Sequence, residues 1–314
     1  MLGAGLRSGG ATVLLAVTLL LGAARPALAG EPLVGIGEQH AEIFADPFWQ
    51  RLELPRVRYV VAWDALHWPD QLAETDAYMA AARAAGADVL LGFGHSRVPS
   101  RVRVLPSPRR LQREFLAIRA RYPWVHEFLT WNEANHCSQP TCRRPAVAAR
   151  YYNALRRVCA GCTIVAADVL DTSKMPAWVR AFRKRARGKH LIWGLHNYID
   201  ANLFRTRGTR ALLRTAPGAV WFTETGGLVE RNNGSPIEFP ENQWHAARAT
   251  RWVFQRLARL SPRVRRIYLY QWTPAGPGAT WDSALLGPNG LPRPAYQVLI
   301  EHLRAVAQRS AHAR

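Results

Sequence analysis

Eight short apolar runs recur along the chain, each separated from the next by a segment with helical spacing, and no Pro/Gly linker or break in composition interrupts the series. Such alternation implies parallel strands joined by helices, and eight is the number that closes a parallel sheet into a ring. Strands are expected at 33–37, 56–63, 88–94, 126–132, 163–169, 191–198, 219–224 and 267–272. Helical segments are expected through Phe48 and Leu52, at 70–85, 108–122 and 145–158, around Trp178 and Phe182, and at 209–213, 242–260 and 295–306. The fold class is therefore α/β, a single (β/α)8 TIM barrel. An open doubly wound sheet competes, but no Gly-rich phosphate loop follows the first strand.

The ends of the chain read differently. Arg7, an apolar run over 11–24 and the small-x-small site Ala27-Leu28-Ala29 have the form of a cleaved signal peptide. The run is shorter than the roughly 20 residues that span a bilayer, so an uncleaved anchor is the weaker reading. Residues 1–29 are assigned to the signal, 30–308 to the catalytic domain and 309–314 to a disordered tail, and a secreted or cell-wall-associated monomer is expected.

Export changes the meaning of composition. A net charge of +20 would ordinarily suggest nucleic acid, which an exported protein seldom meets. The excess is arginine spread through Ala- and Pro-rich sequence; it fits a solvated basic exterior, with electrostatic association to an acidic cell-wall polymer as the alternative. Cys137, Cys142, Cys159 and Cys162 could form disulfides or a four-cysteine zinc site. The helix expected between the pairs is about 20 Å long at 1.5 Å per residue, which separates them and favours two local bridges, Cys137–Cys142 and Cys159–Cys162.

In a barrel of this kind the chemistry lies at the C-terminal ends of the strands. Those ends carry Arg58 and Trp63, His95, Asn132-Glu133, His196-Asn197-Tyr198, Glu224 and Trp272. His95, His196 and Asp168 lack the spacing of a two-histidine, one-carboxylate metal site, so neither metal nor cofactor is expected. Glu38 and Asp171 are spare carboxylates near strand ends. Trp63, Trp68 and Trp281 fall in loops on the same face, where they could offer flat apolar surfaces to a substrate; Trp178, Trp193, Trp221 and Trp252 are expected to pack. The turn-rich stretch 232–236 could wall the cleft.

Taken strand by strand, this series resembles clan A of the glycoside hydrolases, family 5 or a neighbouring family. The matching motifs are Val57-Arg58-Tyr59-Val60-Val61-Ala62-Trp63, Gly94-His95, Asn132-Glu133, His196-Asn197-Tyr198, Thr223-Glu224-Thr225-Gly226 and Gln271-Trp272. Ala134 stands where family 5 usually has proline, and Phe93 where it usually has aspartate. The resemblance implies a β-linked poly- or oligosaccharide as substrate, with Glu133 as acid/base and Glu224 as nucleophile. Two carboxyl groups about 5–5.5 Å apart cleave with retention, whereas a gap of about 6.5–9.5 Å admits water and inverts; the clan has the shorter spacing.

Arg58 and Tyr198 would then hold Glu224 ionised, while Glu133 stays protonated beside Trp131 and the negative Glu224. Asn132 would bond the sugar 2-hydroxyl, His95 and His196 would form a polar floor, and Trp272 would offer a flat face to the ring. The alternative is a catalytically inactive carbohydrate-binding protein on the same barrel.

Overall fold

The computed structural model describes residues 30–312 apart from 233, 235 and 236; the segment assigned to a signal peptide lies outside them. From Glu31 onward the chain forms one unit. Eight parallel strands close a barrel in sequential order: β1 (Leu33–Gly37), β2 (Arg56–Ala62), β3 (Asp88–Gly94), β4 (Glu127–Leu129), β5 (Thr163–Leu170), β6 (Ile192–His196), β7 (Val220–Thr225) and β8 (Val264–Tyr270). Closure is made by β1 lying beside β8, Leu33 opposite Arg266 through Gly37 opposite Tyr270.

Proline starts many of the helices. It opens Pro47–Gln50, Pro69–Ala84, Pro108–Arg121, Pro145–Val158 and Pro294–His312, where its missing N–H costs nothing and its fixed φ already suits the helix. Ser107 and Asn242 cap theirs through side-chain oxygens. Between β1 and β2 the connection is reduced to a 3-10 turn, Ala41–Ala45, and the single turn Pro47–Gln50.

Two apolar layers result. The larger lies between strands and helices, with Trp49, Phe115, Trp131, Tyr151, Phe182 and Trp193 among its largest members. The smaller fills the barrel: Leu90, Leu129, Val165, Trp221 and Tyr268. Arg266 stands 3.9 Å over the Trp221 ring and forms a two-pronged pair with Glu127. Above this plug the interior turns polar.

Several boundaries differ from the sequence expectation. Strand β4 stops at Leu129, although Thr130 N still donates to Val165 O and Asn132 N to Phe93 O. The chain leaves the sheet at Glu133, whose φ of 46° no strand residue adopts. Strand β6 ends at His196, and Tyr198 starts the short helix Tyr198–Asn202. The expected tail is helical to His312, tied by Arg309 to Glu31 at 2.9 Å. Both cysteine pairs form the local disulfides, with Cα separations of 4.9 and 5.6 Å.

One close approach couples packing to the polar layer. A Cβ at Gly194 on β6 would collide with the Asp168 carboxylate and come within 2.7 Å of Thr223 Oγ1. Gly194→Ala should therefore cost about 3 kcal/mol, at the upper end of overpacking effects, through displacement of Asp168. Thermal or urea unfolding measures this; a variant as stable as wild type would show that the barrel interior is not tightly packed there.

Candidate active site

Arg58 on β2 is fully buried, and five strands or their tips meet on it. Its Nη1 donates to Glu224 Oε2 at 2.9 Å; its Nη2 donates to Asp168 Oδ2 at 2.9 Å and Asn132 Oδ1 at 2.5 Å, and lies 3.3 Å from His196 Nε2. Burial opposes its charge, but Asp168 and Glu224 outweigh that and raise its pKa further.

His196, also fully buried, is the second cation. Nε2 donates to Asp168 Oδ2 at 3.0 Å, Nδ1 faces Glu133 Oε1 at 3.2 Å, and Glu224 Oε2 lies 3.7 Å away. Burial alone would lower its pKa; the charges of Glu224 and Asp168 and the bonds to Asp168 and Glu133 push it up to about 10. Asp168 completes the arrangement: Thr223 Oγ1 donates to its second oxygen at 2.5 Å, and His196 and Arg58 hold its carboxyl below the usual range despite burial.

Glu133 and Glu224 stand on this base with side chains 23% and 13% exposed. One donor atom each from Glu133, His196 and Glu224 lie within 4.8 Å of one another. Tyr198 OH donates to Glu224 Oε1 at 3.2 Å, and burial and the Glu224 charge keep it a neutral phenol. Among the described residues this trio is where ligands for a cation come together. His196, however, is an imidazolium at neutral pH, with its N–H groups committed to carboxylates, so only two acids would remain to bind one.

The expectation that Glu133 stays protonated is corrected. Burial favours the acid, but the hydrogen bond and charge of His196 outweigh it and hold Glu133 below the ordinary carboxylate range. The tryptophans are corrected too. Trp272 is completely buried and packs edge-on to Tyr296, because the chain turns outward after β8. Trp63 is buried because it lies five residues from the inward Arg58, on the opposite face of the strand, with Arg101 over its ring. Tyr270, the last residue of β8, lines the cleft together with Glu224.

Other residues sort by what they touch. His95 lines the cleft, its Nδ1–H donating to Ser96 O at 2.8 Å. Trp281 is half-buried and meets the Tyr198 ring edge-on at 4.7 Å, whereas Trp68 is half-buried in the connection after β2. Glu38 is spent on the backbone N–H groups of Gln39, Trp272 and Thr273, and Asp171 on those of Ile199 and Asp200. The 232–236 stretch lies partly outside the described residues.

Sequence reasoning missed Asp168 except as a rejected metal ligand. A lone carboxylate within Ile164-Val165-Ala166-Ala167-Asp168-Val169-Leu170 was the signal, since a charge in a buried run requires a partner.

A closed parallel barrel with two carboxylates converging over one mouth defines the class of barrel hydrolases that act between paired acids. A family model described as glycosyl hydrolase catalytic core matches residues 105–298, and the chain belongs to that family. No curated protein matches it. Among solved structures, an exo-β-1,4-mannosidase from Opitutaceae bacterium strain TAV5 is 16% identical with a TM-score of 0.61, covering 89% of this chain and 60% of that one. The catalytic core of a xylanase A is 13% identical with a TM-score of 0.59, covering 88% and 99%. A family 39 glycoside hydrolase from Bacteroides cellulosilyticus WH2 is 15% identical with a TM-score of 0.56; the match covers 88% of this chain, which spans 64% of that protein's length. At these identities the likeness is one of fold.

The raised pKa of His196 has a consequence for stability. A group whose folded pKa exceeds its unfolded value of 6.5 stabilises fully below pH 6.5, and that contribution is lost as pH rises through about 10. Melting temperature should fall across this window. Asp168→Asn should move the imidazole titration, followed by NMR, to lower pH; an unshifted titration would contradict the charge assignment.

Proposed function

We propose that this protein is an exported retaining β-glycosidase in which Glu224 is the nucleophile and Glu133 the acid/base. The observation that carries the reading is that one carboxylate oxygen of Glu133 and one of Glu224 lie within 4.8 Å of each other, an approach that favours the closer of the two carboxyl spacings. The signal-like segment 1–29 and the two disulfides support export, and no described helix is long and apolar enough to cross a membrane.

In the first step a Glu224 oxygen attacks the anomeric carbon while Glu133 gives its proton to the departing glycosidic oxygen. Arg58 and Tyr198 fix the nucleophile by bonding one oxygen each. The acid's proton lies within the His196–Glu133 pair: transfer from Nδ1 to Oε1 across 3.2 Å leaves a neutral imidazole that still donates Nε2–H to Asp168. A sugar that excludes water from the cleft favours this neutral pair over the ion pair, because charge separation costs more at low dielectric.

Before reaction the cluster sets three carboxylates, Glu133, Asp168 and Glu224, against the cations Arg58 and His196. Esterification of Glu224 removes one negative charge, leaving two carboxylates against two cations once His196 has regained a proton from solvent, a proton that the Glu133–His196 pair returns to solvent after the ester is hydrolysed. Glu133 is then a carboxylate suited to take a proton from the water that attacks the glycosyl ester, and Glu224 leaves with the configuration retained.

Glu133→Gln should lower kcat by about 10²- to 10⁴-fold on substrates with poor leaving groups. A 2-deoxy-2-fluoro glycosyl fluoride should leave a covalent adduct on Glu224, seen by peptide mass mapping. NMR of the first-formed product decides the stereochemistry: the β anomer is expected, and the α anomer would refute double displacement.

A further inference from the structure

Glu224 opens into a cavity of about 280 Å³ whose wall toward β1–β4 includes Gln39, His95, Arg97, Asn132 and Gln139. Three of these are amides, and each has its oxygen already taken. Gln39 Oε1 accepts from Val60 N at 3.1 Å, Gln139 Oε1 from Trp131 Nε1 at 3.0 Å, and Asn132 Oδ1 from Arg58 Nη2. All three partners are donors, so the amide orientations are fixed and each NH2 is left for whatever occupies the cavity.

Arg97 adds a donor-only guanidinium. Its partner Glu74 is a surface residue, with side chains 50% and 57% exposed, and such a pair binds weakly and leaves other N–H groups free. On this wall His95 Nε2 is the group able to accept. Neutral sugars present hydroxyls that both give and take hydrogen bonds, whereas a wall of donors matches a group that only accepts.

Charge around the wall points the same way. Residues 95–144 hold ten arginines and three glutamates, and of these arginines Arg101 is paired with Asp64 and Arg121 with Asp76. Of those glutamates, Glu133 is the proposed acid, Glu114 is paired with Arg110 and His67, and Glu127 with Arg266. Arg103 Nη1 donates to the carbonyls of Cys137 and Ser138, which leaves its charge unneutralised, and Arg143 and Arg144 are exposed without a charged partner among the described residues.

We infer that the cleft takes an acidic glycan, seating an anionic, acceptor-only substituent of the sugar, a uronic carboxylate or a sulfate ester, against Arg97 and the amide NH2 groups of Gln39 and Gln139. This rests on the reading of the same cleft as a retaining glycosidase site. It assigns Arg97 to substrate recognition and gives part of the basic surface a role in drawing in a polyanion.

The test uses β-linked oligosaccharides containing uronic acid, the same molecules after chemical reduction of their carboxyl groups, and sulfated β-glycans. Carboxyl reduction should lower kcat/KM by about 10- to 100-fold, as expected for loss of a charge-assisted bond; if the sulfated series is turned over instead, the substituent is sulfate. Arg97→Gln should raise KM for the acidic substrate and narrow the acidic-to-reduced ratio, and Arg97→Lys should restore part of it, with thermal melting confirming that both variants fold. Calorimetric titration of Glu133→Gln with the acidic oligosaccharide should show affinity that falls steeply with salt. Equal or faster turnover of the reduced and other neutral glycans, indifferent to salt, would overturn this inference while leaving the glycosidase reading intact. Wild type that cleaves no glycan of either kind, and is indistinguishable from Glu224→Gln, would remove both.

Discussion

A guanidinium with no water around it governs this barrel. Taking Arg58 out of solvent costs several kcal/mol unless its charge and N–H groups are matched, and the match comes from four other strands or their tips. Asn132 follows β4, and Asp168, His196 and Glu224 lie in β5, β6 and β7, so one buried cation fixes the relative heights of strands that are far apart in sequence. The second cation follows from the first. Asp168 and Glu224 close enough to neutralise Arg58 also surround His196 with negative potential, which holds its proton far above the usual imidazole range.

The supporting packing shows how little freedom this leaves. Gly194 has no side chain because Asp168 occupies the space, and Thr223 gives its hydroxyl to the same carboxylate. On the other side of the ring Glu38, itself buried, spends one oxygen on backbone N–H groups at the turn after β8, where the chain carries Tyr270 into the cleft and Trp272 out of it. Polar side chains here act on one another before they act on any ligand. The two glutamates are therefore held by a network whose members have few bonds left to exchange.

Much of this was legible in the sequence, because both strong signals are periodic. Strand 88–94 and helix 145–158 fall where expected, since burial on both faces makes a parallel strand a continuous apolar run and proline marks the helix start. The eight-fold alternation gave the closed ring. Errors cluster where periodicity ends. Glu133 lies beyond the last residue of β4 in the left-handed region, and Trp272 lies beyond β8, so counting along an ideal strand could not say where either points. Residue type misled as well: a tryptophan near a strand end looks like a sugar platform, but parity with Arg58 already placed Trp63 on the helix side. Asp168 was visible as a solitary charge in an apolar strand. The acidity of Glu133 was not, because it depends on the protonation of a histidine 63 positions away, which in turn depends on two further carboxylates.

The helix Tyr198–Asn202 shows where such an arrangement is weakest. Its first turn is held by Asp171, which accepts from Ile199 N and Asp200 N, and Asp200 in turn caps the next helix through Gly208 N and Thr209 N. Asn202 then reaches across to Gly226 O and Leu228 N beyond β7. This scaffold sets the position of the Tyr198 hydroxyl against Glu224. Two buried carboxylates in sequence repel each other, and burial together with Asp200 pushes Asp171 up to about 8. A carboxyl so raised favours the fold most when protonated and withdraws that contribution as pH rises through about 8, the opposite of an ordinary salt-bridged aspartate. The fold thus accepts two mutually repelling acids because backbone N–H groups at two helix starts need acceptors, and the same side chains hold in register the phenol that donates to Glu224.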